Sequence, residues 1–301
     1  MTTLNLDALI ALLDDPDPEI VSPVRKRIIE IGLPAIESLE LAWEKIFDDL
    51  LRLRIEELIE TIHFNALKEE LTEWVKLGSR DLLYGAYLMA RFQFPDLNYE
   101  DLNKAIEEVR KDAWLELAPN LTALERVKIL NHILFDVHKF SGNLRNYYAP
   151  RNSYINQVLE SKKGNPISLA IIYSEIAQRL DIPIYGVNLP KNYILAYVES
   201  IESIQQAFLH ENQKVILYIN PFNRGAVFSK GEIDQYLKQQ RLEPNPSYYY
   251  PCSNIDTVYR IAHNLSFAYK QLGDLERINK LDELKNILKP EWSEENLEDE
   301  V

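Results

Sequence analysis

The chain has 301 residues, 46% of them hydrophobic, and a formal net charge of −14 at pH 7. This length and apolar content exclude a disordered or fibrous protein and are enough for two or three folded units. The acidic charge repels phosphate backbones and anionic lipid headgroups, so neither nucleic acid nor a membrane surface is expected as a partner.

The N-terminal segment, MTTLNLDALIALLDD, has no basic residues ahead of its apolar run, so we do not expect a signal peptide. No stretch of about 18 apolar residues runs uninterrupted, and no membrane-spanning helix is expected. Cys252 is the single cysteine and permits no internal disulfide bond. This favours a reducing compartment and predicts a cytoplasmic protein.

Residues 1–78 are predicted to be helical. Apolar residues recur at helical spacing on both sides of a DDPDP turn, Gly32 is placed to end the second helix, and Pro34 to begin the next. The pattern partly recurs in IESLELAWEKIFDDLLRLRIEELIETI. The segment resembles HEAT-type repeats, although two such units fall short of the roughly three that a self-standing solenoid needs.

Residues 79–250 are predicted to form an α+β domain whose first part is helical. Three short runs follow that are rich in β-branched and aromatic residues, IPIYGVNL, YILAYVES and KVILYIN, and they predict an antiparallel sheet of three or more strands. Residues 251–290 return to helix around Gly273 and resemble a tetratricopeptide-type hairpin, and residues 291–301 form an acidic tail. We therefore expect a mainly helical α+β fold.

A largely apolar helix is predicted to begin near residue 166. Asn165 suits the N-cap position and Pro166 the first helical position, where its missing N–H has no partner to lose. The apolar residues that follow, as far as about Leu180, leave only a narrow polar strip through Ser168 and Glu175. The pattern is typical of a buried central helix.

The stretch NSYINQVLESKKGNPISLAIIYSEIAQRLDIPIYGVNLP, with FSGNLRNYYAPRNSY before it and YINPFNRG after it, resembles the SirB-type branch of the transglutaminase-like superfamily. The resemblance implies a papain-like core in which a buried helix packs on an antiparallel sheet. It also implies a catalytic cysteine, histidine and aspartate. In classical members the cysteine lies at a helix N-terminus, where the helix dipole and an imidazolium favour the thiolate.

All three catalytic positions carry other residues here. The glycine before the helix, Ala170 within it and the Ile-Pro pair after it set the register, and this register places Pro166 at the cysteine position, Asn192 at the histidine and Asn220 at the aspartate. Proline has no nucleophilic atom, an amide is not a general base near neutral pH, and a neutral side chain cannot stabilise an imidazolium. The resemblance therefore implies that the catalytic unit is lost.

Two other residues could supply a displaced nucleophile. Ser168 lies about 200° round the helix axis from Pro166, so we expect it to face away from the groove. Cys252 lies outside the family motif and is expected to be a structural thiol. The five histidines show no metal-ligand spacing and no glycine-rich phosphate motif is present, so the sequence predicts neither a metal nor a cofactor.

Tyrosines concentrate in two proline-bearing segments, NYYAP at 146–150 and SYYYP at 247–251. Tyrosine joins apolar area to a hydroxyl group, which suits recognition, although these rings could equally pack the loops onto the core. The candidate groove residues are Tyr148, Arg151, Asn152, Asn165, Ser168 and Tyr193.

Three hypotheses remain open at this stage. The first is an inactive transglutaminase-like protein that binds a protein or an extended peptide in the old substrate groove. The second is an acyl-transfer or peptide hydrolase enzyme that uses Cys252 or Ser168. The third is an adaptor built from helical repeats.

Overall fold

The computed structural model describes residues 3–199 and 214–289. The chain divides into two compact units, Met1–Glu73 and Trp74–Val301. The predicted acidic tail, residues 291–301, lies outside the described residues. Among the helices of the described ranges, none is long and apolar enough to cross a membrane.

The first unit is built from helices. They are α1 (Thr3–Ala11), α2 (Pro18–Ile31), α3 (Ile36–Lys45) and the part of α4 (Asp49–Lys76) up to residue 73. Asp17 caps α2, and Gly32 ends that helix at a φ of 72°, as the sequence predicted. Fully buried apolar residues such as Leu13, Ile28 and Leu58 form one core. The unit therefore owes its stability to the burial of one apolar stripe per helix.

The second unit is α+β and mainly helical, and this confirms the predicted fold class. Its helices are α5 (Leu82–Arg91), α6 (Tyr99–Glu116), α7 (Ala123–Asn131), α8 (Ile155–Ser161), α9 (Pro166–Gln178), α10 (Lys230–Gln240), α11 (Asn254–Leu272) and α12 (Leu275–Leu288). The predicted hairpin around Gly273 is present, because this glycine ends α11 at a φ of 74°.

The main sheet has four antiparallel strands in the order β3 (Ile184–Val187), β4 (Ile194–Val198), β5 (Val215–Asn220) and β6 (Ala226–Phe228). Leu195 pairs with Ile219, which in turn pairs with Val227. The three predicted strands are found, while β6 is a further short, largely exposed strand. A separate parallel pair joins β1 (Ser141–Gly142) to β2 (Lys163–Gly164).

Helix α9 is the central element of the second unit. It contacts α6 on one side and β3 and β4 on another, and almost all of its side chains are buried. It ends at Gln178, two residues before the predicted end. Asn165 and Ser168 form a capping box at its start, which satisfies backbone N–H groups that would otherwise be buried without a partner. The sequence therefore fixes where this helix begins.

Candidate functional site

A cavity of about 370 Å³ opens at the start of α9. Its walls come from four places in the second unit: the first residues of α9, the loop that carries Tyr147 and Tyr148, the segment Lys191–Tyr193 before β4, and one face of α11. A cavity of this size accommodates a small ligand or one or two side chains of a peptide.

The α9 wall contains Asn165, Pro166 and Ile167. The Asn165 side chain accepts the Ser168 N–H at 3.0 Å and donates to Ser153 Oγ at 2.8 Å. In return, Ser168 Oγ accepts the Asn165 N–H at 3.1 Å. Ser168 was named as a candidate groove residue and as an alternative nucleophile, although its position on the helix predicted that it faces away from the groove. The structure corrects the first two assignments, because Ser168 is 1% exposed, is absent from the cavity wall, and its hydroxyl closes the capping box.

Two of the three residues that the resemblance aligns with the catalytic triad lie at this cavity. Pro166 and Asn192 both line it. Asn192 Oδ1 accepts the Tyr193 N–H at 2.9 Å. Asn220 lies at the same end of the sheet as Asn192, because the preceding residue on β5, Ile219, pairs with Leu195 at the start of β4. Asn220 is not part of the cavity wall. Its Oδ1 accepts the Asn223 N–H at 3.2 Å and holds the turn after β5.

The rings of Tyr147, Tyr148 and Phe267 form an aromatic part of the cavity wall, here called the aromatic wall. The Tyr147 and Tyr148 rings lie edge to face with centroids 5.0 Å apart, and Phe267 follows at 5.3 Å from Tyr148. Behind them, Phe222 packs 5.7 Å from Tyr147. Edge-to-face pairs of this kind hold each other in place and present a fixed apolar surface.

The loop that carries Tyr147 and Tyr148 is held closed by the buried side-chain amide of Asn152. Asn152 donates to the carbonyl oxygens of Asn146 and Tyr147 at 2.7 and 2.8 Å and accepts from Asn143 Nδ2 at 2.8 Å. Asn152 and Arg151 were predicted to line the groove, and neither does. Asn152 is 1% exposed because the loop folds over it, and Arg151 is exposed to solvent instead.

Tyr193 lines the cavity, and the residue is almost fully buried. The hydroxyl lies 2.7 Å from Thr257 Oγ1 and 3.4 Å from Cys252 Sγ. Burial raises the pKa of the Cys252 thiol, although hydrogen bonds from Tyr193 and Thr257 partly oppose the rise. A nucleophilic cysteine needs the opposite shift, and Cys252 does not line the cavity.

Helix α11 supplies the part of the wall that the sequence did not indicate. Arg260, Asn264, Phe267 and Ala268 lie four, three and one residues apart, which places them on one helical face. Arg260 is 6% exposed and donates from Nη1 to Asn188 Oδ1 at 3.2 Å. Arg260 and Asn264, two polar residues four apart on the same face as Phe267 and Ala268, are the signal that could have identified this face.

The remaining wall residues are Ala149, Ser153 and Lys191, and none of them was among the candidate groove residues predicted from the sequence. Lys191 is exposed and adopts a left-handed backbone with a φ of 58°. In the part of the chain that the structure describes, no three His, Cys, Asp or Glu side chains lie close enough together to hold a metal ion.

The model of the transglutaminase-like superfamily matches residues 100–263, which is more than half of the chain. The chain therefore belongs to the transglutaminase-like superfamily. The matched residues include the start of α9, both tyrosines of the aromatic wall and Arg260.

Among curated proteins, a UPF0162 protein of Xylella fastidiosa (strain 9a5c) is 41% identical over 173 residues, which are 55% of this chain and 56% of that protein. A UPF0162 protein of Vibrio cholerae is 25% identical over 157 residues, 52% of this chain and 53% of that protein. Human F-box only protein 21 is 31% identical over 110 residues, 36% of this chain and 17% of that protein. The chain thus spans about half the length of the bacterial relatives. No solved structure matches it.

Proposed function

We propose that the chain is a catalytically inactive member of the SirB-type branch of the superfamily, and that it binds a protein or an extended peptide in the cavity at the start of α9. One observation carries the proposal. Pro166 lies in the cavity wall at the first position of α9, where the resemblance places the catalytic cysteine. Proline offers neither a nucleophile nor a proton to transfer.

The other groups at the cavity support the same function. Asn192 is a neutral amide at the position of the catalytic histidine, and Asn220 holds a turn at the position of the acid. The wall instead offers rings and amides, which are the groups that bind peptides by apolar contact and hydrogen bonds. The HEAT-like helices of residues 1–78 and the tetratricopeptide-like hairpin of residues 251–290 belong to this proposal, because repeats of both kinds form binding surfaces. A reducing compartment such as the cytoplasm suits the unpaired thiol of Cys252.

Two measurements test the proposed function. The first incubates the protein with a glutamine-containing peptide and a fluorescent primary amine. We expect no amine incorporation and no peptide hydrolysis above the level of heat-denatured protein. Activity that Asn192→Ala abolishes would contradict the proposal, because this substitution alters only the cavity wall.

The second measurement detects binding directly. A photo-crosslinking phenylalanine replaces Tyr148, which is 58% exposed and lines the cavity, and a control protein carries it at Leu144 in the same loop, which is 80% exposed and outside the wall. Both are irradiated with a pool of synthetic peptides of random sequence. We expect peptide adducts at position 148 in clear excess over position 144. Equal yields at the two positions would count against binding in the cavity.

A further inference from the structure

The wall of the cavity contains polar groups that no described residue satisfies. The side-chain amide of Asn264 makes no hydrogen bond within the described residues, and the Asn192 NH2 group donates to none of them, since only the Asn192 oxygen is engaged. Unused donors and acceptors in a concave site with apolar walls are ready to bind the polar groups of a ligand. We propose that Asn264 binds the backbone N–H and C=O of one aromatic residue in an extended peptide, an inference that rests on the proposed peptide-binding function.

Asn264 has the chemistry that this contact requires. Its side-chain amide carries one carbonyl acceptor and two N–H donors. In an extended chain the N–H and C=O groups of one residue point to the same side, as in a hydrogen-bonded pair of an antiparallel sheet. One amide can therefore accept from that N–H and donate to that C=O. A carboxylate offers acceptors alone and would leave the Asn264 oxygen next to a negative charge.

The position of Asn264 on α11 places this amide beside the aromatic wall. Asn264 and Phe267 are three residues apart on one helical face, so their Cβ atoms are about 5–6 Å apart. The Phe267 ring lies 5.3 Å from the Tyr148 ring, and the two rings form an apolar surface next to the amide. A single ligand residue can span this distance between its backbone and its side-chain ring, which is why we place an aromatic residue here.

Ser153 and Asn192 supply further donors. Ser153 is 6% exposed and its Oγ accepts from Asn165 Nδ2 at 2.8 Å, but its own proton has no acceptor among the described residues. The carbonyl groups on either side of the bound residue are suitable acceptors for these donors. Arg260, on the same face of α11 as Asn264, is already partnered within the protein, and the site does not depend on it.

The test uses N-acetylphenylalanine methylamide, which has the peptide bonds on both sides of one aromatic residue, with the full chain. Binding is measured by ligand-observed NMR titration. N-acetyl-N-methylphenylalanine methylamide lacks the phenylalanine N–H, and we expect it to bind about fivefold more weakly, the effect of one neutral hydrogen bond. N-acetylphenylalanine dimethylamide keeps that N–H and should bind within about twofold of the methylamide.

A substitution assigns this effect to Asn264. Asn264→Leu nearly keeps the size of the side chain and removes both hydrogen bonds, so it should weaken binding of the methylamide about fivefold to thirtyfold. In this variant the penalty for N-methylation should disappear, because the partner of the N–H is gone. Asn279→Leu makes the same change at an exposed asparagine on α12 outside the cavity and should bind as the original chain does.

A circular dichroism spectrum and melting curve confirm that both variants are folded. The comparison of the two N-methylated compounds in the original chain stands without the variants. If N-methylation of the phenylalanine nitrogen costs no more than the dimethylamide does, the proposal is wrong.

Two more compounds test the class of ligand. N-acetylalanine methylamide has the same backbone without the ring and should bind at least about tenfold more weakly. Equal binding of the alanine and phenylalanine compounds would overturn the assignment to an aromatic residue. Tighter binding of N-acetylphenylalanine, which carries a carboxylate, than of the methylamide would overturn the proposal in favour of an anion site. An equal penalty for N-methylation in the Asn264→Leu variant and the original chain, or no binding of the methylamide at all, would also overturn it.

The outcome is independent of the test of the proposed function. Peptide adducts at position 148 without an effect of Asn264→Leu would remove the amide site and leave the peptide-binding function. Binding of the methylamide that depends on Asn264, without peptide adducts at position 148, would support the amide site and remove the function of binding longer peptides.

Discussion

Gly186 on β3 packs directly against the Tyr193 hydroxyl, so that a methyl group at this position would overlap it. We expect Gly186→Ala to lower the free energy of unfolding by about 2–4 kcal/mol, because the ring must move and its 2.7 Å hydrogen bond to Thr257 is lost. Gly231→Ala on α10 is the control, since its methyl group would lie 3.8 Å from the nearest atom. Urea denaturation should show that it changes stability by less than about 1 kcal/mol. Equal effects of both substitutions would contradict this account.

Sequence patterns at the residue scale predict backbone roles better than side-chain surroundings. Asn165 and Pro166 could be assigned as the cap and first residue of α9, because these residue types suit those positions whatever surrounds them. The role of Asn152 could not be assigned in the same way. An asparagine in a loop suits a binding groove as well as a buried network, and only the closed loop shows that it holds the Tyr147 carbonyl.

The loop from Asn143 to Asn152, which ends in a single 3-10 turn at Pro150–Asn152, depends on one side-chain amide. Asn152→Asp replaces the NH2 donor by an oxygen that would face two carbonyl groups, so we expect a loss of about 2–4 kcal/mol in the free energy of unfolding. The aromatic wall should loosen as well, with faster hydrogen exchange at residues 146–148. Asn146→Asp makes the same change at an exposed side chain in this loop and should cost less than about 1 kcal/mol. Similar losses of unfolding free energy for the two variants would contradict the role assigned to Asn152.

The pairing of α11 with α12 makes stability depend on pH through His263. Burial, with the charges of Arg260 and Lys285, lowers the pKa of His263 from 6.5 to about 4. Its Nε2 has no hydrogen-bond partner among the described residues. Between these two pKa values the unfolded chain binds the proton and the folded chain does not. Stability from this group is therefore present above pH 6.5 and is lost as the pH falls towards 4.

The size of this effect follows from the two pKa values. Between about pH 7.5 and about pH 5, His263 should account for a loss of about 2 kcal/mol in the free energy of unfolding. His263→Gln removes the titration, so urea denaturation at the two pH values should show a smaller loss for this variant. His132→Gln, at an exposed histidine, is the control for replacing a histidine by glutamine. An unchanged pH dependence in His263→Gln would refute the prediction.

At the element scale, periodicity predicted the helices and the three longer strands. β6 was missed because three residues, mostly exposed, leave no alternation to detect. The face of α11 was missed for a different reason. Helical spacing indicates that Arg260 and Phe267 share a side of the helix, but it carries no information about what that side meets. The cavity joins residues 166 and 260, which are far apart in the chain, and only tertiary packing brings them together.

The chain divides between residues 73 and 74, whereas the sequence prediction placed the end of the first helical segment at residue 78. Trp74 explains why these five residues matter. Its Nε1 donates to the Asp81 carbonyl at 2.9 Å, and its ring would lie 2.7 Å from a methyl group at Gly85. The ring is 5% exposed and belongs to the core of the second unit.

A fragment that begins at residue 74 should therefore be more stable than one that begins at residue 79. We expect a difference of about 3–5 kcal/mol, the cost of removing a buried tryptophan. Trp74→Ala in the full chain should destabilise the second unit by a similar amount. Trp114→Ala, at a tryptophan that is 62% exposed, is the control and should cost less than about 1 kcal/mol. Urea denaturation curves of the fragments, the two variants and the original chain measure these differences. Equal stabilities of the two fragments would place Trp74 outside the core.

Helix α11 belongs both to the C-terminal hairpin and to the cavity wall, and this couples occupancy of the cavity to the folding of a distant segment. A ligand bound in the cavity contacts both the segment Lys191–Tyr193 before β4 and helix α11. It therefore stabilises only the state in which the hairpin of α11 and α12 is docked. Saturation with a peptide that forms adducts at position 148 should then slow amide exchange along α12, a helix that supplies none of the described wall residues. Amide exchange in α12 would thus report whether the cavity is filled.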